Sequence, residues 1–267
     1  MNSAREIFDP KVYWENRLSD SFNLHGVGFK GLGNSFNHWF YKIKRKVFRK
    51  HIKSLRLNLP EIKVLDVGSG TGFFIDLWCE LGVKHISGLD ITETAVSKLR
   101  KKYPEKIFFR ADISEEKYVL KGQQYDVVSA FDVLFHIVDD DKYKNAIKNI
   151  ADLIKPGGYL IFSDNFLHGE TFRTQHQVCH TLNNIEEILA KAGFDIIKRK
   201  PMCYFMNYPI DSEKVIFKKV WSLIQKNTAR GEKYGNRIGA ILYPIESLAI
   251  RIFRESPTTE IMICRKK

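Results

Sequence analysis

From residue 62 onward, short apolar runs alternate with segments whose apolar residues recur every three or four positions, the pattern of strands alternating with helices. Residues 62–67 read as a buried strand, 71–81 as a helix and 85–89 as a second strand running into Asp90. Thr92 or Glu93 opens a helix to Lys102, Pro104 closes it, and 106–110 is a third strand. Residues 125–130 form a fourth strand, 140–154 a helix stopped by Lys155-Pro156-Gly157-Gly158, and 159–163 a fifth strand. A helix over 183–192 with Gly193 as its C-cap leads to a sixth strand at 194–198, and 260–264 alternates as a seventh. Such alternation predicts an α/β fold with a largely parallel sheet covered on both faces and ligands at the carboxyl ends of the strands.

The 267 residues suit one generous domain or a core with appended segments, and 44% hydrophobic residues with only 8 Pro and 17 Gly exclude disordered and collagenous chains. No apolar run reaches the length of a membrane span and the first residues lack a secretion signal, so a cytoplasmic location is the expectation. Cys79, Cys179, Cys203 and Cys264 stand far apart without a C-x-x-C pair, which fits packed, reduced thiols. The formal charge of +12 is uneven. Residues 1–60 carry twelve Lys/Arg against four Asp/Glu, 198–267 fifteen against six, and 61–197 sixteen against twenty-one. Two basic flanks around an acidic middle point to a phosphate-rich ligand, an anionic membrane surface or nucleic acid.

The sharpest chemical signal follows the first strand, where Val64-Leu65-Asp66-Val67-Gly68-Ser69-Gly70-Thr71-Gly72-Phe73 puts three glycines on alternate positions between a strand and a helix. A tight turn that lets a ligand approach the backbone needs residues without Cβ. The dinucleotide pattern G-x-G-x-x-G fails, because Phe73 stands three after Gly70, and no G-K-[ST] follows. Asp90, at the end of the second strand, is placed for the two hydroxyls of a ribose, since one carboxylate can accept from two donors. Asp112, after the third strand, is placed to accept from an exocyclic amino group, with Ile113 packing on a base.

With Gly88-Leu89-Asp90-Ile91, Ala111-Asp112-Ile113, Tyr125-Asp126-Val127-Val128 and Leu153-Ile154-Lys155-Pro156-Gly157-Gly158 in the same order, the chain resembles the class I S-adenosylmethionine-dependent methyltransferases over roughly residues 60–200 and again at the last strand. The resemblance implies a seven-stranded, doubly wound sheet whose last strand is antiparallel, with S-adenosyl-L-methionine as cofactor and S-adenosyl-L-homocysteine as product. It implies that Asp66, Gly68, Ser69, Gly70 and Gly72 hold the methionine part, that Asp90 holds the ribose, that Asp112 and Ile113 hold the adenine, and that Ile91 is a further cofactor contact. Phe131 and Asp132 would lie near the reacting methyl, and Tyr13 and Trp14 would cover the cofactor. His136 is the first candidate for a base, because it follows the fourth strand and titrates near neutral pH; its alternative role is to orient the chain. His25, His176 and His180 are further candidates. His176 and His180, four apart, could share a helix face as metal ligands, but no third ligand has a recognisable spacing. Asp132, Asp164 and Asn165 resemble the magnesium set of catechol methyltransferases; the other motifs of that subfamily are not evident, and no metal is assigned.

The flanks divide the chain into a helical cap or lid over 1–60, a core over 61–200, an insertion over 201–257 and a final core strand over 258–267. Within the cap, Tyr13–Arg17 opens a helix, the glycine- and aromatic-rich stretch 22–40 reads as a flexible loop, and 39–55 reads as an amphipathic basic helix packed on the core. The insertion lies between the sixth and seventh strands, where the family usually has a short hairpin. It reads as aromatic residues around Tyr204–Tyr208, a basic helix over 215–226 and an apolar helix over 244–253 with Pro244 in its first turn, together roofing an acceptor pocket. The leading expectation is an in-line O-methyl transfer to a small-molecule or lipid-linked acceptor, with peripheral membrane contact through the basic flanks as a further option. The alternatives are a tRNA-modifying methyltransferase, less favoured because no RNA-binding module is visible, and a non-catalytic cofactor-binding scaffold or sensor. The residues fix no oligomeric state.

Overall fold

The computed structural model describes residues 8–115, 120 and 122–267. Successive side chains on a strand point to opposite faces, and in β1 (Lys63–Val67) both faces are buried, Val64 joining one hydrophobic cluster and Leu65 and Val67 another. A strand with no wet face belongs at the centre of a covered sheet. Around it stand β2 (His85–Asp90), β3 (Ile107–Arg110), β4 (Tyr125–Ala130) and β5 (Ile154–Asp164). A short ribbon of β6 (Phe172–Arg173) and β7 (Val178–Cys179) stands apart, and β8 (Phe194–Pro201) and β9 (Glu260–Lys266) complete a seven-stranded sheet in the order β3-β2-β1-β4-β5-β9-β8. β9 runs antiparallel to both its neighbours, β5 and β8, while the pairs from β3 across to β5 are parallel. β5 starts earlier than the sequence predicts: Ile154 pairs with Tyr125, so the Lys155–Gly158 turn lies within the strand as an irregularity rather than ahead of it.

The helices are α1 (Pro10–Asp20), α2 (Leu24–Val27), α3 (Gly33–Ser54), α4 (Phe73–Glu80), α5 (Glu93–Lys102), α6 (Asp140–Leu153), α7 (Leu182–Lys191), α8 (Val215–Thr228) and α9 (Glu232–Ile252). α3, α4, α5, α8 and α9 contribute to the cluster on one face of the sheet, and α6 and α7 to the cluster on the other. α3 buries Phe36, Phe40, Ile43, Val47 and, beside it, Phe48, then Ile52, a helical spacing that forms one continuous stripe. Its basic residues lie mainly on the opposite, wet face, with Lys44 the buried exception.

Two expectations about the flanks are corrected. Residues 22–40 are ordered rather than a flexible loop. The Asn23 side chain accepts from the backbone of His25 and Gly26, Asn37 ties Phe29 and Gly33 together, and α3 already begins at Gly33. The N-terminus of α3 has no local cap; instead Glu232, almost two hundred residues away, accepts from the backbone of Asn34 and Ser35. The second correction concerns Pro244, which sits in the middle of α9 and not in its first turn. Proline removes one hydrogen bond to the carbonyl four residues earlier; Ala240 and Pro244 both lie on the exposed face, where water can take that carbonyl. The glycines that argue against a helix here serve packing. A Cβ on Gly239 would lie 2.4 Å from the Trp39 ring, so this residue lets α9 approach α3 closely. Glu246, buried in α9, accepts from the backbone of Tyr204 and Phe205 and fastens the start of the insertion to its end.

Phe48 joins α3 to α4 and to the segment after β4: it is fully buried, its ring edge-on to Trp78 at 4.9 Å and to Phe131 at 5.5 Å. Phe48→Ala should lower unfolding free energy by about 3–5 kcal/mol, read from the urea midpoint at constant m-value. A loss below about 1 kcal/mol would show that α3 is not integral to the core.

Candidate active site

The chain leaves β1 toward one edge of the sheet through β2 and β3, then returns to lay β4 on the other side of β1. At such a switch point the connections part in opposite directions and leave a crevice beyond the strand ends. A cavity of about 860 Å³ opens there, at the upper end of the range for small-molecule sites. Its walls come from the segments after β1, β2, β3 and β4, and from α1, Val27 and Tyr41 of the N-terminal flank. None of its lining comes from residues 201–257, which pack on α3 and against the start of β9 instead.

Gly68, Ser69 and Gly70 line this cavity. Gly68 has φ +70°, and a Cβ there would come within 2.2 Å of Val133, so only glycine lets the turn pass under the segment after β4. Asp90 stabilises the turn: Oδ2 accepts from the Gly70 backbone N–H at 2.8 Å, and Oδ1 accepts from the backbone and hydroxyl of Thr92 at 2.9 and 2.7 Å. It also lines the cavity, and a carboxylate with about four acceptor positions has room for ligand hydroxyls besides. Ile91, Asp112 and Ile113 line the same wall. Asp112 Oδ1 accepts from the Ser114 backbone and hydroxyl, which fixes the carboxylate.

Three residues expected at the cofactor stand outside the cavity: Asp66, Gly72 and Tyr13. Asp66 points behind the turn, where its carboxyl accepts from the Ser129 hydroxyl at 2.7 Å and Ser129 in turn accepts from Trp78 Nε1 at 3.1 Å. Burial pushes the Asp66 carboxyl up to about 7, its hydrogen bonds only partly opposing this. Gly72 sits at the N-terminus of α4 against Leu99 and Tyr103 rather than in the cavity. Alternation along β1 places Asp66 on the face opposite to Leu65 and Val67, and the strand ends before the turn brings it to the crevice.

Beyond β4, Phe131, Asp132 and His136 all line the cavity. Phe131 stacks on Phe74 at 4.2 Å. Asp132 has φ +59°, a left-handed conformation that Asp adopts more readily than most residues. Its backbone N–H donates to the Ser163 hydroxyl at 2.8 Å, and that hydroxyl donates to Oδ1 at 3.1 Å. Oδ2 accepts from Lys44, an ammonium 5% exposed that also lies over the Phe40 and Tyr41 rings. Burial works against the Lys44 charge, yet the Asp132 carboxylate prevails and holds the ammonium above its ordinary pKa. Burial likewise pushes the cavity-lining Tyr41 phenol up to about 12.

His136 hydrogen-bonds through Nδ1 to the backbone oxygen of His176 at 2.8 Å. A carbonyl can only accept, so Nδ1 carries the proton and Nε2 is left as the acceptor. Burial lowers the His136 pKa to about 4, outweighing the His176 carbonyl, so the ring is neutral near pH 7. Trp14 packs edge-on against it at 4.8 Å and lines the cavity. Tyr13 does not line the cavity but stacks on the His176 ring at 5.7 Å, and His176 acts on the site through its carbonyl rather than its ring. His25 lies outside the cavity, bonded through Nε2 to the Lys30 carbonyl. His176 and His180 share no helix face: they flank β7, and the His180 ring packs on Tyr143.

The oxygen set for magnesium is also engaged with other partners. Asp132 is paired with Lys44, burial keeps the Asp164 carboxyl well above its ordinary pKa, and Asn165 spends its amide on Cys179 Sγ and the Thr259 hydroxyl. Among the described residues, no three His, Cys, Asp or Glu side chains are grouped to hold a metal.

Three residues outside the sequence-level candidates organise the site. Lys44 could have been found as a lysine on the apolar stripe of α3, four residues from both Phe40 and Phe48. Arg17 donates Nε to Gly26 O and Nη2 to Gly28 O and lies 4.9 Å over Trp14, which fixes α1 against the following loop. Glu15 accepts from the backbone of Glu93 and Thr94, anchoring α1 to the start of α5. Burial opposes its charge, but the Thr94 hydroxyl and these N–H groups together hold its carboxyl below the ordinary range. The Glu15 partnership, across 78 and 79 positions, spans a distance that no local pattern reports.

Comparison with known proteins agrees with this architecture. Residues 39–199 match the family model described as a methyltransferase domain. The chain is 31% identical over 115 residues to the ubiquinone biosynthesis O-methyltransferase of Bordetella avium, covering 42% of this chain and 46% of that protein. It is 24% identical over 167 residues to the mitochondrial ubiquinone biosynthesis O-methyltransferase of Dictyostelium discoideum, covering 57% and 51%. The chain thus spans about half the length of these curated relatives. Among solved structures, the magnesium protoporphyrin IX methyltransferase of Synechocystis PCC 6803 with bound SAM has a TM-score of 0.58 at 18% identity, covering 100% of both chains. An N-methyltransferase of Bradyrhizobium japonicum in complex with S-adenosyl-L-homocysteine has a TM-score of 0.54 at 13% identity, covering 97% and 99%. These two likenesses are of fold. With the matched model spanning more than half of the sequence, the chain belongs to the methyltransferase domain family.

Proposed function

We propose that the protein transfers a methyl group from S-adenosyl-L-methionine to the hydroxyl of a small, largely apolar acceptor, with a phenol-type hydroxyl favoured. The observation that carries this reading is the composition of the cavity. On one side stand a backbone turn that only Gly68 permits and the two fixed carboxylates of Asp90 and Asp112; on the other stands a neutral His136 beside Trp14, Tyr41, Phe73 and Phe131. The donor and acceptor set fits the cofactor: carboxylate oxygens for ribose hydroxyls and an adenine amino group, Ile91 and Ile113 for the base, and a close backbone for the methionine part. When bound, S-adenosylmethionine supplies a methyl made electrophilic by its sulfonium. The protein's task is then alignment, exclusion of water and removal of one proton.

His136 is suited to that proton. Its Nδ1–H is held by the His176 carbonyl, so Nε2 is free to accept from an acceptor hydroxyl, and burial keeps the ring unprotonated before the reaction. Asp132 lies on the same wall, and its negative charge favours the imidazolium that forms. Lys44 tempers that charge and fixes the carboxylate in place. The ubiquinone-pathway relatives are named O-methyltransferases, which supports oxygen as the acceptor atom. The helical cap of residues 8–60 closes the cavity through Trp14, Leu18, Val27 and Tyr41, a lid held by Arg17 and Glu15.

Titration calorimetry with S-adenosylhomocysteine should show binding by the wild type and a large loss for Asp90→Ala; no heat from folded wild type would end the cofactor reading. With S-adenosylmethionine and simple phenols or catechols bearing apolar chains, turnover should appear as S-adenosylhomocysteine. Binding without turnover on any of them would leave a cofactor-binding scaffold as the better account. His136→Gln should lower kcat by about 100-fold with unchanged product affinity; an unchanged kcat would reduce His136 to an orienting role. Because the folded His136 pKa lies below the unfolded value of 6.5, its contribution to stability is present above pH 6.5 and lost as pH falls toward 4. The stability difference between wild type and His136→Gln should therefore shift against the wild type across that window, as read by urea denaturation at several pH values.

Lys44→Met strips a mostly buried carboxylate of its counter-ion and should cost about 3 kcal/mol. Most of that should return in the double variant Lys44→Met/Asp132→Asn, where no charge remains to be paired. Equal losses in the single and double variants would mean that the ammonium acts by packing alone.

A further inference from the structure

α9 is apolar on both sides. Its inner face packs on α3, yet Ile241, Ile245, Leu248 and Ile252, spaced by four, three and four residues, are 61%, 49%, 57% and 62% exposed. Four large aliphatic side chains on one wet stripe, about 16 Å long at 1.5 Å per residue, form a continuous patch rather than the scattered exposed residues of an ordinary surface. α8, packed on α9, also exposes Leu223, one turn from each of the exposed Lys219 and Lys226. Tyr204 touches both Phe253, at 4.3 Å, and Phe217, at 5.6 Å, so the end of α9 and the start of α8, with exposed Val215 and Ile216, lie side by side.

The border of the patch is positive. Arg237 stands one turn before Ile241 on the exposed side. Lys42 and Lys46 of α3 lie over the Tyr243 ring at 4.9 and 5.7 Å, on the flank where the two helices meet. Burial first, and then the nearby charges of Arg251 and Lys50, lower the Lys46 pKa, which places Lys46, Lys50 and Arg251 in one field. Neither acid of α9 offsets them: Glu246 is buried under Tyr204, and Glu232 is engaged at the N-terminus of α3.

We propose that this face of α8 and α9 docks the protein on an anionic lipid bilayer, with the aliphatic stripe at the headgroup–acyl boundary and the lysine and arginine rim on the lipid phosphates. The pairing of an apolar stripe with a cationic border matches that interface in both parts. A second copy of the chain fits less well, because a two-fold contact through the same patch brings two positive rims together. Nucleic acid would use the rim and leave the aliphatic stripe without a partner. No helix among the described residues is long and apolar enough to cross a membrane, so the contact is peripheral. The inference does not depend on the reaction proposed above, since none of these residues lines the cavity.

Co-sedimentation of the full chain with sucrose-loaded vesicles tests it. The wild type should bind phosphatidylglycerol–phosphatidylcholine vesicles, bind pure phosphatidylcholine weakly, and release as salt is raised. Ile245→Asp/Leu248→Asp should abolish binding, and Arg251→Gln should weaken it about five-fold. Because these side chains are exposed, circular dichroism and S-adenosylhomocysteine affinity should be unchanged in both variants; that affinity also reports the cofactor site separately from the membrane contact. Vesicle binding that survives Ile245→Asp/Leu248→Asp would overturn the proposal, as would absence of binding by the wild type. So would a wild-type dimer in sedimentation velocity that the same double variant dissolves, since the stripe would then be covered by another copy.

Discussion

An ammonium drawn out of water must be met by a charge inside, and Lys44 is met by Asp132. The two residues lie 88 positions apart, one on the helix before the first strand and the other just after β4. Neither group tolerates being buried alone, so α3 can settle on the sheet only in the register that joins them. Much else follows from that register. Tyr41, one helical step from Lys44, enters the wall of the cavity, Phe48 reaches Trp78 and Phe131, and the N-terminus of α3 arrives where Glu232 can cap it. α9 then packs on the same helix, so an insertion far along the chain takes its position from a helix at the beginning.

The parts legible in the sequence were those set by local rules. Strand alternation, the Gly68–Gly72 turn, Asp90 and Asp112 at strand ends and His136 after β4 each announce themselves within a window of about ten residues. The fold class followed from them. What local rules misplaced was decided by contacts across the chain. Gly235, Gly239 and Pro244 weaken helix propensity, yet α9 runs through all three because its packing against α3 outweighs their intrinsic cost. Residues 22–40 have the composition of a loop, but Asn23, Asn37 and the distant Glu232 hold them. Asp66 has the right position in the motif and the wrong direction in space, since its side chain turns to Ser129.

Two buried acids and two buried histidines are shifted in opposite directions. Burial raises the pKa of Asp66 and Glu246 to about 7, while it lowers that of His51 and His136 to about 4. For the two acids the folded state holds protons that the unfolded state gives up, so stability is full at low pH and falls as pH rises toward 7. For the two histidines the slope is reversed. Opposed slopes over the same window flatten the dependence of overall stability on pH, whereas the cavity wall carries one member of the set, a His136 ring kept neutral by burial.

The uneven charge of the chain acquires a meaning once the fold is known. The two basic flanks are distant in sequence, but α3 from the first and α8 and α9 from the second pack into one cluster on the same face of the sheet, so their positive residues gather on one side. The cavity has the opposite character: Asp9, Asp90, Asp112, Glu115, Asp132 and Asp139 line it against Lys11, Arg110 and Lys142. The field of such a mouth favours a cation such as a sulfonium, and the bilayer contact proposed above would instead use the basic face. A nucleic-acid substrate would need the basic field at the cavity, where the lining carries more acid than base. An acceptor carried by a membrane needs only that the basic face and the cavity belong to one rigid body, and the Lys44–Asp132 pair joins the helix beneath that face to the wall of the cavity.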